Sequence, residues 1–357
     1  AEDFSGYQYT THDGRSVEKV YDNGASLMPV YIRSVNPEVW SMGGGSYSES
    51  WMTDAIRSAK KDKKDGVVFQ SMRDGSVSTV GPWKRSHVIA VFDPTQIKSA
   101  SGNNGDFSRD NRDIRFSRVR KVGDTPIIEN RRGRLAPNGE PSNLNEHQWQ
   151  QARTPEFKAW FGDWEQASLR DFLNGNPLAE LKSSEAPHQG YAKLREWAVG
   201  IFKDYGFKAI HPTIGEVLMD ERGVRDSMGH KMSPFKAIAF KVVPDVIEGG
   251  RVVHRETTGG VESIYISAPV KIDEAGDVVT VLVHKDPRTQ RFYLHSVATK
   301  EYLLSRKQSI SPSIGQQRTL GAVRTGGIES ILHNALAFKG NVSKVVDENG
   351  EPRVAYH

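Results

Sequence analysis

The chain has 357 residues and no cysteine, which excludes disulfides, thiolate catalysis and cysteine-ligated zinc. Hydrophobic residues make up 37% and charged residues 26%, enough to build cores and too apolar for wholesale disorder. The formal net charge of +4 is mild and by itself indicates an ordinary basic surface.

That length exceeds one typical domain, so at least two folding units are expected. No apolar run approaches the roughly 18 residues of a membrane span, and the N-terminus is polar from the start. The expected compartment is therefore cytoplasmic, with no membrane partner. A first residue of Ala and a last run of Val354-Ala355-Tyr356-His357 lead us to expect an excised segment.

Residues 1–25 read as loop. Met28 to Ile32 is a short β-rich run closed by Asn36-Pro37. Ser48 to Ser58 carries Trp51, Ala55 and Ile56 at helical spacing, and Lys60 to Lys64 is its solvated end. Asp65-Gly66 turns the chain into Val67-Val68-Phe69, and Val88 to Phe92 forms a further strand ended by Asp93-Pro94. Residues 101–155 are dominated by Ser, Asn, Gly, Asp and Arg, so an irregular connector is expected.

Order returns at Thr154-Pro155. Phe157, Trp160, Phe161 and Trp164 form an aromatic cluster at helical spacing, read as a core anchor. Tyr191 to Tyr205 is an amphipathic helix with Leu194, Trp197, Ala198, Ile201 and Phe202 on one side, ended by Gly206. A short helix over Val224 to Met228 precedes Gly229. Ser233-Pro234 then opens another helix, with Phe235, Ile238, Val242, Val246 and Ile247 apolar, stopped by Gly249-Gly250. Three alternating strands follow at 263–272, 278–285 and 291–297. A last helix spans Glu329 to Phe338, and short strands at 342–346 and 353–356 flank the turn DENGEP.

Helices followed by an antiparallel meander predict an α+β domain with its helices on one face of the sheet. Strand alternation puts Arg291, Tyr293 and His295 on the other face, with Thr280 and His284 together on a neighbouring strand. Walker, HExxH, nucleophile-elbow and Rossmann glycine motifs are absent, and no metal site is expected. The candidate chemistry is His230, Lys231, Arg291, Tyr293 and His295. Metal-free RNA cleavage needs a base, an acid and a cation on the phosphorane, and these side chains can supply all three.

Two stretches resemble known families. AVFDPTQIKSASGNNGDF at 90–107, with MPVYIRSVNP and DGVV before it, resembles the end of the ADP-ribosyltransferase domain of phage and mobile-element polyvalent proteins. The resemblance covers roughly residues 20–118, within a partial, β-rich segment assigned to 1–118. TPEFKAWFGDW at 154–164 and SKVVDENGEPRVAYH at 343–357 resemble two halves of the lead-in to such a domain. In that family the lead-in runs into a strand whose His binds the NAD ribose, which implies His357 here. GEVLMDERGVRDSMGHKMSPFKA, YISAPVKI and FYLHSV resemble a large polyvalent-protein-associated domain, similar to barnase/EndoU/RelE-like nucleases.

The resulting expectation is a transferase-like segment at 1–118 and a linker at 119–153. A lead-in helix at 154–167, an inserted nuclease-like domain at 168–340 and opening strands at 341–357 complete it. The transferase segment is expected to be inactive, because aligning Phe92-Asp93 with the family's last strand puts Val88 where an acid belongs. The insert is expected to cleave RNA without a cofactor, with His230 and His295 as acid and base and Arg291 on the phosphate. A non-catalytic module binding a host or virion protein is the first alternative. NAD-dependent transfer by a permuted domain is the second, and it requires the strand at 343–357 to lie beside that at 88–92. The resemblance implies action in the bacterial host cytoplasm after phage delivery or prophage expression.

Overall fold

The computed structural model describes residues 7–10, 16–19, 28–44, 48–73, 85–103, 107–114, 134–187, 190–228, 234–300 and 326–356. They divide into two compact units, one of residues 1–33, 38–125 and 353–357 and the other of 34–37 and 126–352. The fold is α+β.

In the first unit, β1 (Tyr7–Thr10) and β2 (Ser16–Lys19) form an antiparallel pair. β3 (Pro29–Ile32), β4 (Pro37–Ser41), helix α1 (Glu49–Lys61), β5 (Gly66–Arg73), β6 (Arg85–Val91) and β7 (Ile97–Ser99) follow. α1 buries Met52, Ala55 and Ala59 in a core with Val67, Phe69 and Met72. The phrase FDPTQIKS has a mechanical basis. Asp93 caps a short 3-10 turn at Pro94–Gln96 by accepting from the Thr95 N–H at 2.8 Å. The Gln96 side chain then satisfies four backbone groups. Its Oε1 accepts from the Phe92 and Asp93 N–H groups at 3.1 and 2.8 Å, and its Nε2 donates to the Arg33 and Asp65 carbonyls at 2.9 and 2.8 Å. Lys98 is fully buried, and its ammonium donates to the Asn111 and Asp113 carbonyls.

β15 (Val354–Tyr356) pairs antiparallel with β3, which pairs with β7. The expected neighbour at 88–92 is instead β6, in a separate sheet of order β4-β5-β6. The permuted-transferase arrangement that placed the C-terminal strand beside residues 88–92 is thereby corrected. His357 lies outside the described residues.

The second unit begins with order where a connector was expected. α2 (Glu146–Gln151) starts on an Asn145–Gln148 capping box. α3 (Pro155–Phe161) and α4 (Trp164–Leu173) follow, so the aromatic stretch is two helices rather than one. The break is at Gly162, with φ +100°, where a Cβ would lie 2.5 Å from the Asn341 carbonyl. Phe157, Trp160, Phe161 and Trp164 are all buried. The expected boundary at 167/168 falls inside α4, and the expected strand at 342–346 is absent. In its place a Val346–Pro352 bridge closes one NGEP turn and a Leu135–Pro141 bridge closes another. Their asparagines meet at 2.9 Å, Asn138 to Asn349.

β8 (Glu180–Leu181), α5 (Gly190–Asp204), β9 (Lys208–His211), β10 (Gly215–Leu218) and α6 (Glu221–Met228) come next. The single helix expected after Pro234 is three pieces: α7 (Pro234–Ile238), a 3-10 segment (Ala239–Val242) and α8 (Val243–Gly249). Pro244 sits in the first turn of α8, where it lacks no needed N–H and cannot extend the preceding segment. β11 (Arg251–Thr258), β12 (Val261–Ile272), β13 (Ala275–Lys285) and β14 (Phe292–Thr299) form a four-strand meander rather than three. α9 (Gly326–Ala337) precedes the closing turn.

The sheet order is β11-β12-β13-β14-β10-β9, with β8 on β12 and β10 parallel to β14. One face meets α5, α6 and the segments from 237 to 247 through Ile264, Ile266, Val281, Val283, Leu294 and others. The opposite face was expected to be open. Part of it is covered: Tyr265, Val278 and Leu282 pack with Leu173 of α4 and with Ile328, Leu332 and Ala335 of α9. The long buried run of β12 carries the reason, since strands buried on both faces lose the apolar–polar alternation of a one-sided sheet.

Replacing Gln96 by Ala removes four hydrogen bonds to half-enclosed backbone groups. It is expected to cost about 2–4 kcal/mol, read as a lower urea midpoint and faster exchange of the Phe92 and Asp93 amides.

Candidate functional site

The uncovered end of the outer face is polar because of register. Glu256 of β11, Ser263 of β12, His284 of β13 and Tyr293 of β14 are successive Cα partners in one row across the sheet. Between Leu282 and Val283 the pairing with β14 shifts, so that Leu282 opposes Ser296 and Val283 opposes Leu294. His295 is the extra residue of that bulge. A bulge re-aims a side chain, and here the His295 ring stacks on that of His284, with centroids 3.9 Å apart and planes at 14°. The Tyr293 ring meets His284 edge-on at 5.9 Å.

Helix α6 supplies the charges. β10 pairs with β14 only at Phe292 and Tyr293, and the chain then turns into α6, which runs against β14. Asp220 starts the helix by accepting from the Gly223 N–H at 2.9 Å. Gly223 permits the close approach, because a Cβ there would lie 2.5 Å from the Leu294 carbonyl. The far end is held by Ser227, whose hydroxyl donates to Gly223 O, and by the fully buried Lys236, whose ammonium donates to Ser227 O at 2.8 Å.

Arg222 and Asp226, one turn apart, therefore face the histidines. Their Nε and Oδ2 lie 3.7 Å apart. Asp226 Oδ2 is 3.8 Å from His295 Nδ1, and the Arg222 guanidinium sits 5.4 Å from the Tyr293 ring centre. His284 is pushed down to about 4, first by burial and then by the positive ends of His295 and Arg222. It is neutral at physiological pH. Farther along the same face, the Tyr265 hydroxyl donates to Glu256 at 2.7 Å, and His254 lies over the Tyr265 ring. Burial and the Glu256 charge push the Tyr265 phenol up.

Of the residues singled out from sequence, Tyr293 and His295 come together here. Arg291 lies in the exposed turn before β14, not on the strand. His230 and Lys231 fall outside the described residues. Sequence reasoning missed Asp226 and Arg222 and left His284 out of the candidate set, although it had placed His284 on the polar face. The i, i+4 spacing of Arg222 and Asp226 was the available signal for a charged helix side. Among the described residues, no group of three His, Asp or Glu side chains is placed to hold a metal, and no helix is long and apolar enough to cross a membrane.

A family model described as ADP-ribosyltransferase in polyvalent proteins matches residues 2–107, and one described as large polyvalent protein-associated domain 3 matches residues 187–293. No curated protein matches, and no solved structure matches. Arg222, Asp226, His284 and Tyr293 lie within the second matched span, and His295 is two residues past it.

His284 also makes stability depend on pH. Above the usual imidazole value of 6.5, folded and unfolded chains both hold it neutral and stability is complete. As pH falls from 6.5 toward about 4, the unfolded chain takes up the proton first, so stability is lost through that window. With allowance for solvent screening of a half-buried ring, the loss is on the order of 2 kcal/mol. His211, also held near 4 mainly by burial, adds a second contribution of the same sign. Urea unfolding at pH 7 and at pH 4.5 is expected to show a smaller difference for His284→Gln than for the wild type.

Proposed function

We propose that this segment of a polyvalent protein cleaves RNA without a metal ion, and that the second unit carries the reaction. The observation that supports this reading is the stacked His284–His295 pair, with a carboxylate 3.8 Å from the His295 ring and a guanidinium near His284 and Tyr293. The pair offers two imidazoles in different environments, which is the arrangement that separates a base from an acid.

His284, neutral and shielded, takes the proton of a ribose 2′-hydroxyl. The oxygen attacks the adjacent phosphorus. His295, whose Nδ1 lies 3.8 Å from the Asp226 carboxylate, gives its proton to the departing 5′-oxygen. The products are a 2′,3′-cyclic phosphate and a free 5′-hydroxyl. Arg222 neutralises charge that builds on the phosphoryl oxygens, the role sequence reasoning had given to Arg291. Binding a phosphodiester brings negative charge to His284 and raises its proton affinity toward neutral pH. His230 and Lys231 follow α6 directly in the chain and remain proposed contributors. No NAD is required for this reaction.

The test is cleavage of a uniformly labelled RNA by the full chain in EDTA. His284→Ala and His295→Ala are each expected to slow cleavage by about 10²–10⁴, and Asp226→Asn by less. Products must end in cyclic phosphate. Undiminished cleavage by both histidine variants would falsify the assignment. An inactive wild type would favour a module that binds a host or virion protein through the same polar face.

A further inference from the structure

Away from the histidine cluster, the second unit holds a cavity of about 390 Å³ between α4, the start of β11 and α9. That is within the roughly 300–1,000 Å³ common for small-ligand sites. Apolar side chains form part of its wall, with Leu169 on α4, Val252 on β11 and Ile331 on α9. Glu165 and three other polar side chains share the lining.

Arg153 is one, and its charge is matched by Glu165 at 3.0 Å. Arg251 is the second. Its Nη1 donates to the backbone oxygen and hydroxyl of Ser168 at 3.2 and 3.1 Å, and the guanidinium rests 4.4 Å from the Phe172 ring centre. Among the described residues no carboxylate pairs with it, and its Nε and Nη2 donate to nothing. Burial alone pushes its proton affinity down, with no acidic neighbour to offset the effect. Gln166 is the third. Its side-chain oxygen is enclosed and accepts no hydrogen bond.

A half-buried guanidinium without a counter-ion is costly, as is an enclosed acceptor without a donor. A ligand anion in the cavity relieves the first. We infer that this cavity binds a small amphipathic anion. Its carboxylate or phosphate head lies on Arg251, and its apolar body lies between Leu169 and Ile331. The free Nε–Nη2 edge matches the two oxygens of such a head group. A larger cavity on the other side of α4 also touches Arg251, but Asp171, Asp347 and Glu348 line it and balance its cations. The anion site is therefore on the Gln166 side.

The experiment is calorimetric titration of the full chain with octanoate, octyl phosphate and octanol. At least one anion is expected to bind tenfold or more tightly than octanol, and the tighter of the two identifies the head group. Arg251→Met, which keeps an unbranched stem against Phe172, is expected to abolish that preference. Ile331→Trp fills the cavity from the opposite wall and is expected to remove binding altogether while the fold is kept, which covers the case in which the Arg251 variant does not fold. Equal affinity for octanol, an unchanged preference in Arg251→Met, or no binding of either anion at millimolar concentration overturns the inference. None of these outcomes depends on RNA cleavage.

Discussion

The contact between Gly223 and the Leu294 carbonyl sets the geometry of the candidate site. It lets α6 lie against β14 where β10 has stopped pairing. Closeness of backbone to backbone there brings Arg222 and Asp226 over the edge of the sheet to the rings of Tyr293 and His295. Ser227 and Lys236 hold the helix from the other side with hydrogen bonds inside the core. A buried ammonium is costly unless its donors are used, so Lys236 ties the helix end to the core as firmly as an apolar contact does.

The bulge at His295 is the second half of the same arrangement. Without the extra residue, His295 and Leu282 would stand in simple alternation along their strands. With it, two residues of β14 face one of β13, and two imidazoles stack. Covering the rest of that face with α4 and α9 confines the polar groups to one end. The unequal environments of His284 and His295 follow. One ring is shielded and beside cations, and the other lies 3.8 Å from a carboxylate.

The first unit follows a different logic. Its most informative phrase is mechanical rather than chemical, since Gln96 bonds four backbone groups from segments far apart in sequence. A side chain in that position cannot be read as catalytic from its neighbours in the chain. The same holds for Lys98, whose charge is spent on carbonyls.

Local periodicity was enough to place α1, α5, α6 and three of the four strands of the meander within a few residues, because spacing of apolar residues and turn chemistry act over short stretches. It also put His284, Tyr293 and His295 on a polar sheet face. It missed β9, β10 and β11, whose short or half-buried runs carry weak alternation, and it ran α3 into α4 because the aromatic spacing continues across Gly162. The residue sequence by itself determined the fold class, the type of most elements and the kinds of side chain available for chemistry. Only the tertiary structure decided which of them meet. The His284–His295 stack depends on a one-residue register shift, and the approach of Asp226 depends on a glycine fitting beneath a carbonyl from a strand some seventy residues on. Both are long-range packing events, and no local pattern encodes them.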